Sequence, residues 1–210
     1  MTRILIADDH ELLRRGLISI LAEAFPDLSV GEAADAAHAL EAVEKKPWDV
    51  VLLDINMPGR SGLDALQDIK RLRPQLPVVV LSVFPEKDYA VRAFKLGACG
   101  YISKQSASGE LLAAIRKALS GGRYVTPMLG EVLAATLAGA TPAVPHEMLS
   151  NRELQVLRLV ALGKALKEIA GELSLSEKTI GTYRLRISQK LGLSTNVELA
   201  RYAMQHKLVD

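Results

Sequence analysis

The chain has 210 residues, 49% of them hydrophobic and 24% charged, with a formal net charge of +2. That length suits one or two globular domains, and no apolar run approaches the roughly 20 residues that a helical membrane span needs. A single cysteine, Cys99, excludes an internal disulfide and a cysteine-based metal centre, and is expected to be a small core residue.

The first residues, MTRILIADD, reach acidic side chains after only four apolar ones. This is too short for the apolar region of a signal peptide, so a cytoplasmic location is expected. From there to about residue 122, apolar runs alternate with helical patterns. RILIA, LSVGEA, DVVLL, VVVLS and CGYIS read as strands. Between them, apolar residues recur at helical spacing, as in Leu13, Leu17, Ile20 and Leu21, or Leu63, Leu66 and Ile69. Five such strand-helix units predict an α/β fold, a doubly wound, five-stranded parallel sheet covered on both faces.

In sheets of this kind, ligands sit beyond the carboxyl ends of the strands. The first strand runs into Asp8 and Asp9, the third into Asp54, the fourth into Ser82 and the fifth into Lys104. Three carboxylates, a hydroxyl and an ammonium are therefore expected at one edge. Either acid of the first pair, taken alone, also reads as a helix cap. The whole set at matching strand ends points instead to a hard divalent cation, Mg²⁺, and to phosphoryl transfer. Asp54 would be the acceptor carboxylate and Lys104 a second cation for the phosphoryl oxygens. His10 is expected to be a helix-start residue, and Trp48 a core residue.

ILIADDH, VVLLDINMPGRSG, VVVLS and GYISK resemble the receiver domain of two-component response regulators, which has a flavodoxin-like sheet, over residues 3 to about 120. The resemblance implies that Asp54 takes a phosphoryl group from a sensor histidine kinase. It also implies that Asp8, Asp9, Asp54 and the Asn56 main-chain carbonyl hold Mg²⁺, that Lys104 pairs with the phosphate, and that Ser82 and Tyr101 form a switch pair. Aspartyl-nucleophile phosphatases of the haloacid dehalogenase type carry a second Asp two residues after the nucleophile. Here that position is Asn56, which takes no proton from an attacking water, so a lasting mark rather than rapid turnover is expected and the chain is not expected to act as an enzyme.

Past the fifth unit the composition changes. Gly121 and Gly122 read as a helix stop, and Thr126 with Pro127 as a restart leading into a short helix, MLGEVLAATLAG. ATPAVPHEM, with two prolines, reads as a linker. Residues 1–122 carry 15 Lys and Arg against 16 Asp and Glu, whereas residues 146–210 carry 10 against 7. Within the latter, capping patterns at Ser150, Ser176 and Thr195 predict a small bundle of four helices. On the third of these helices, Ile180, Ile187 and Leu191 fall on one stripe, with Lys178, Thr182, Leu185 and Gln189 opposite and Arg186 at the border.

LSNRELQVLRLVALGKALKEIAGELSLSEKTIGTYRLRISQKLGLSTNVELA resembles the LuxR-type helix-turn-helix of the NarL/FixJ regulators. The expected division is a receiver at 1–122, a linker with a short helix at 123–146 and a DNA-binding domain at 147–210. The whole then resembles a transcription factor that dimerises on phosphorylation, binds an inverted repeat in double-stranded DNA and engages RNA polymerase. Lys178, Arg184 and Lys190 are expected on DNA phosphates, Thr182, Leu185 and Arg186 near base edges, and Thr179 at the start of the recognition helix. The alternative is a phosphate sink or relay protein with slow aspartyl-phosphate hydrolysis.

Overall fold

A computed structural model describes residues 1–83, 86–106, 108–137, 145–206 and 208–209. The chain divides into two compact units, residues 1–140 and 141–210.

The first unit contains strands β1 (Thr2–Ala7), β2 (Leu28–Ala33), β3 (Val50–Asp54), β4 (Val78–Ser82) and β5 (Gly100–Ser103). Helices α1 (Glu11–Ala24), α2 (Ala36–Lys45), α3 (Gly62–Leu72), α4 (Glu86–Lys95) and α5 (Ser108–Leu119) follow them in alternation. All strand pairs are parallel, in the order β2-β1-β3-β4-β5. The order reverses direction after β1, which opens a crevice at the carboxyl ends of β1 and β3.

The apolar runs become interior strands because both faces are covered. Ile4, Ile6, Val50, Leu52, Val79, Leu81 and Ile102 form one core with Leu17 and Leu21 of α1 and Leu111 and Ile115 of α5. Leu5, Val51, Leu53 and Val80 alternate to the other face, where Val43, Leu66 and Ile69 of α2 and α3 are also fully buried. Each such side chain contributes about 1.5–3 kcal/mol, so the edge that carries the acids rests on a stiff platform.

Trp48, expected in the core, is half-buried and packs against β2. Its ring lies where a Cβ on Gly31 would stand, and its indole N–H donates to the Ala42 carbonyl at 2.9 Å. Cys99 is half-buried, its thiol 3.3 Å from the Val78 carbonyl. The short helix of the expected linker is α6 (Pro127–Leu137), begun by a Thr126 hydroxyl that accepts from the Leu129 N–H at 3.2 Å. It packs against α4 and lies within the first unit. Of the linker prolines, Pro142 lies outside the described residues, and Pro145 opens a single 3₁₀ turn, Pro145–Met148.

The second unit contains α7 (Asn151–Ala161), α8 (Leu166–Glu172), α9 (Glu177–Leu191) and α10 (Asn196–Gln205). All three expected caps form. Ser150 and Thr195 each make a reciprocal box with the Glu three residues on, and Ser176 accepts from the Thr179 N–H at 3.1 Å. α7 packs against α9 and α10, and α8 against α9, with Leu157, Ile169, Ile180, Ile187 and Leu199 fully buried. The tight turn between α8 and α9 passes through Ser174 in the left-handed region, φ 51°.

Candidate functional site

Asp54, Asp8 and Lys104 meet at the carboxyl edge of the sheet because β1, β3 and β5 end there in parallel. The Asp8 and Asp54 carboxylates are fully buried. Lys104 Nζ lies 2.7 Å from Asp8 Oδ2 and 2.8 Å from Asp54 Oδ2, with its side chain only 9% exposed. Asp54 Oδ1 accepts the Asn56 N–H at 3.0 Å, and Asp8 Oδ1 accepts the His10 N–H at 2.9 Å. The Asp9 carboxylate lies 2.9 Å from the His10 ring, on the open side of the site. His10 itself sits at the N-cap of α1, as expected of a helix-start residue.

Burial pushes the Asp54 carboxyl above its ordinary value; Lys104 and the Asn56 N–H pull it down without cancelling that push, and Asp8 adds to it. Burial works to lower Lys104, yet the two carboxylates overcome it, and the ammonium stays charged to higher pH than usual. In a simple ion pair the carboxyl would fall while the amine rose. Here one ammonium serves two buried carboxylates, so its pull on Asp54 does not cancel the push of burial.

The donor set fits Mg²⁺. Ligand atoms of Asp8, Asp9, His10 and Asp54 all lie within 4.8 Å of one another, and the three carboxylates supply hard oxygens that need a divalent charge to offset them.

Ser82 and Tyr101 are both fully buried, Ser82 at the end of β4 and Tyr101 within β5. The Ser82 carbonyl accepts the Lys104 N–H at 2.7 Å, which ties the two strand ends together. Val83, next in sequence, is half exposed at the rim. Gly62, which residue-by-residue reading passes over, shapes the site from behind. A Cβ there would stand 2.0 Å from the Asp54 carbonyl oxygen, so only glycine lets α3 begin directly against the end of β3. Its position eight residues after the buried acid, where a helix must start, is the available signal.

In the second unit, α9 presents Lys178, Thr182, Leu185, Arg186 and Gln189 outward, while Ile180 and Ile187 face inward. Thr179 is half-buried in the first turn, its hydroxyl 2.7 Å from that of Ser176. Two of the cations expected on phosphates are engaged within the unit. Lys190 Nζ is 2.6 Å from the buried Glu153 carboxylate and 3.2 Å from the Met148 carbonyl. Arg184 donates to Asn196 Oδ1 at 2.6 Å and to the Ser194 carbonyl at 3.4 Å. Lys178 and Arg186 remain on the outward face.

Residues 4–116 match the family model "Response regulator receiver domain", and residues 147–203 match "Bacterial regulatory proteins, luxR family". The response regulator GacA of Pseudomonas viridiflava is 37% identical across the whole of this chain and 99% of its own. The response regulator UvrY of Escherichia coli K12 is 35% identical across the whole of this chain and 97% of its own. Among solved structures, RcsB of Salmonella enterica serovar Typhimurium, bound to promoter rprA in the presence of phosphomimetic BeF₃⁻, matches with a TM-score of 0.58 at 28% identity. That match covers 96% of this chain and 98% of RcsB. With a receiver-type acid edge in one unit, a helix-turn-helix in the other and relatives matched end to end, the chain belongs to the two-component response regulators of the NarL/FixJ type.

Proposed function

We propose that Asp54 accepts a phosphoryl group from a histidine of a sensor kinase, and that this mark controls dimerisation and sequence-specific binding of DNA through α9. The observation that carries the proposal is the burial of Asp54 beside Asp8 and Lys104 at a strand end, a costly placement unless the charge is used.

In the transfer, an Asp54 carboxylate oxygen bonds to phosphorus as the phosphorus–nitrogen bond of the donor breaks and the imidazole leaves with the bonding pair. Lys104 is placed to follow the charge onto the phosphoryl oxygens. Asp8, Asp9 and Asp54, with the Asn56 carbonyl, would hold Mg²⁺, which supplies the positive charge that offsets carboxylate and phosphoryl together. Asn56 offers no carboxylate to take a proton from water, which favours a persistent acyl phosphate. A groove of about 510 Å³ between α1 and α5 adjoins the site, lined by Leu12, Leu13, Leu17 and Leu111 beside Lys104. Its apolar wall suits the histidine-bearing helix of a kinase.

Ser82 and Tyr101 are proposed to couple the phosphoryl group to the surface around α4 and β5. The functional division is a receiver at 1–122, a joint at 123–146 and a DNA-binding domain at 147–210. DNA engagement is supported by the outward Lys178, Thr182 and Arg186 and by the match to RcsB, which was solved on promoter DNA. RNA polymerase is the further proposed partner, in the cytoplasm; among the described residues no helix is long and apolar enough to cross a membrane.

Acetyl phosphate with Mg²⁺ should label the chain at Asp54 alone, read by mass spectrometry of borohydride-trapped protein. Asp54→Asn and excess chelator should each abolish the label. Equal labelling of that variant would refute the acceptor assignment.

A further inference from the structure

The outward face of α9 holds an apolar notch that the domain's own packing does not use. Leu185 is 56% exposed, whereas Ile180 and Ile187 of the same helix are fully buried. One turn earlier stands Gly181, where a Cβ would meet no atom within 4 Å. The fold would accept alanine there, and glycine inside a helix is the poorer choice. Between them, the Thr182 hydroxyl donates back to the Lys178 carbonyl at 3.0 Å, leaving its γ-methyl and its lone pairs for an outside partner. Residues at i and i+4 share a face, and helical side chains lean toward the N-terminus. Leu185 and Gly181 therefore lie on one face of α9, beside Thr182, and the space above the bare backbone of Gly181 is open, with the cations Lys178 and Arg186 to either side.

Resting on the reading that α9 enters a major groove, we propose that Gly181, Thr182 and Leu185 together receive the C5-methyl group of a thymine, so that one T·A pair in each half-site is read by apolar contact. Among the four bases only thymine presents a methyl in the major groove. The amino and carbonyl edges of the other bases would be left without a hydrogen-bond partner against leucine. Glycine at 181 is the residue that allows a base edge to come close to the helix backbone.

The test uses a duplex enriched from a random pool by the full-length chain treated with acetyl phosphate and Mg²⁺, with each half-site thymine replaced singly by deoxyuridine, which removes only the methyl. At one thymine per half-site, wild-type affinity should fall about three- to fivefold, the effect of one buried methyl. Leu185→Ala, checked for folding by circular dichroism, should bind the thymine and deoxyuridine duplexes equally at that position. Gly181→Ala should raise the thermal midpoint while erasing the same difference, which separates a filled notch from a damaged helix. Insensitivity to every substitution, or an undiminished difference in Leu185→Ala, would overturn the notch while leaving groove binding intact. Failure to enrich any duplex would overturn the groove reading and the notch with it.

Discussion

Asp54 is held at the end of β3 with its charge opposed by its surroundings. Burial raises its carboxyl above the ordinary 3.8. A carboxyl whose folded value is raised contributes stability below about pH 4 and loses that contribution as the pH climbs through the folded value. The metal-free protein should therefore lose stability relative to Asp54→Asn as the pH rises through that range, and Asp54→Asn should be the more stable of the two at pH 7. Thermal melts of both proteins in chelator, from pH 4 to pH 8, check the sign. Lys104 is the counterpart. Removing the ammonium in Lys104→Met leaves two buried carboxylates unopposed, at a cost of about 3–5 kcal/mol at pH 7. Mg²⁺ or acidification should restore part of it. Denaturant titration with and without Mg²⁺ measures the loss, and equal stability in both conditions would show that Lys104 and the cation do not share one task.

Among the helices, α9 shows how far sequence carries and where it stops. Its caps, its inward stripe of Ile180 and Ile187 and its outward Lys178, Thr182 and Leu185 all follow from local spacing. So do the five strands, because short apolar runs alternating with helical patterns leave few other arrangements. The partners of Lys190 and Arg184 do not, since Glu153 lies 37 residues from Lys190 and Asn196 lies 12 from Arg184. A helical wheel gives the direction of a side chain but not what the next helix brings to meet it. Gly62 escaped for a similar reason, because its constraint is the Asp54 carbonyl arriving from another element.

The consequence for α9 is a changed division of labour. Burial works against the charge of Glu153, but Lys190 and the Ser150 N–H overcome it and hold the carboxyl below its ordinary value. Lys190→Ala should then destabilise the second unit by about 1 kcal/mol, a figure discounted for the partial exposure of the amine, and leave the slope of log affinity against log salt unchanged. Lys178→Ala should lower that slope by roughly one with little loss of stability. Salt titrations of both variants on one duplex separate the roles, and the reverse pattern would put Lys190 on the phosphate backbone.

At the scale of the whole molecule, a phosphoryl group on one unit has to alter what the other unit does. A lone helix with two outward cations would bind DNA weakly, since non-specific affinities of that kind are about 10⁻⁴ to 10⁻⁶ M at physiological salt. Pairing two copies on an inverted repeat doubles the contacts and sets the half-site spacing. Dimerisation is therefore the proposed link between the acid edge and DNA, with Ser82 as its first step. The most direct test is footprinting of the full-length chain on its enriched duplex, before and after acetyl phosphate and Mg²⁺, with wild type, Ser82→Ala and Asp54→Asn side by side. The account predicts that phosphorylation raises wild-type affinity by about tenfold or more and protects two half-sites, equivalent to roughly 1.4 kcal/mol or more. Ser82→Ala should be labelled yet lose most of that gain, and Asp54→Asn should show none of it. An equal gain in Asp54→Asn would contradict the account.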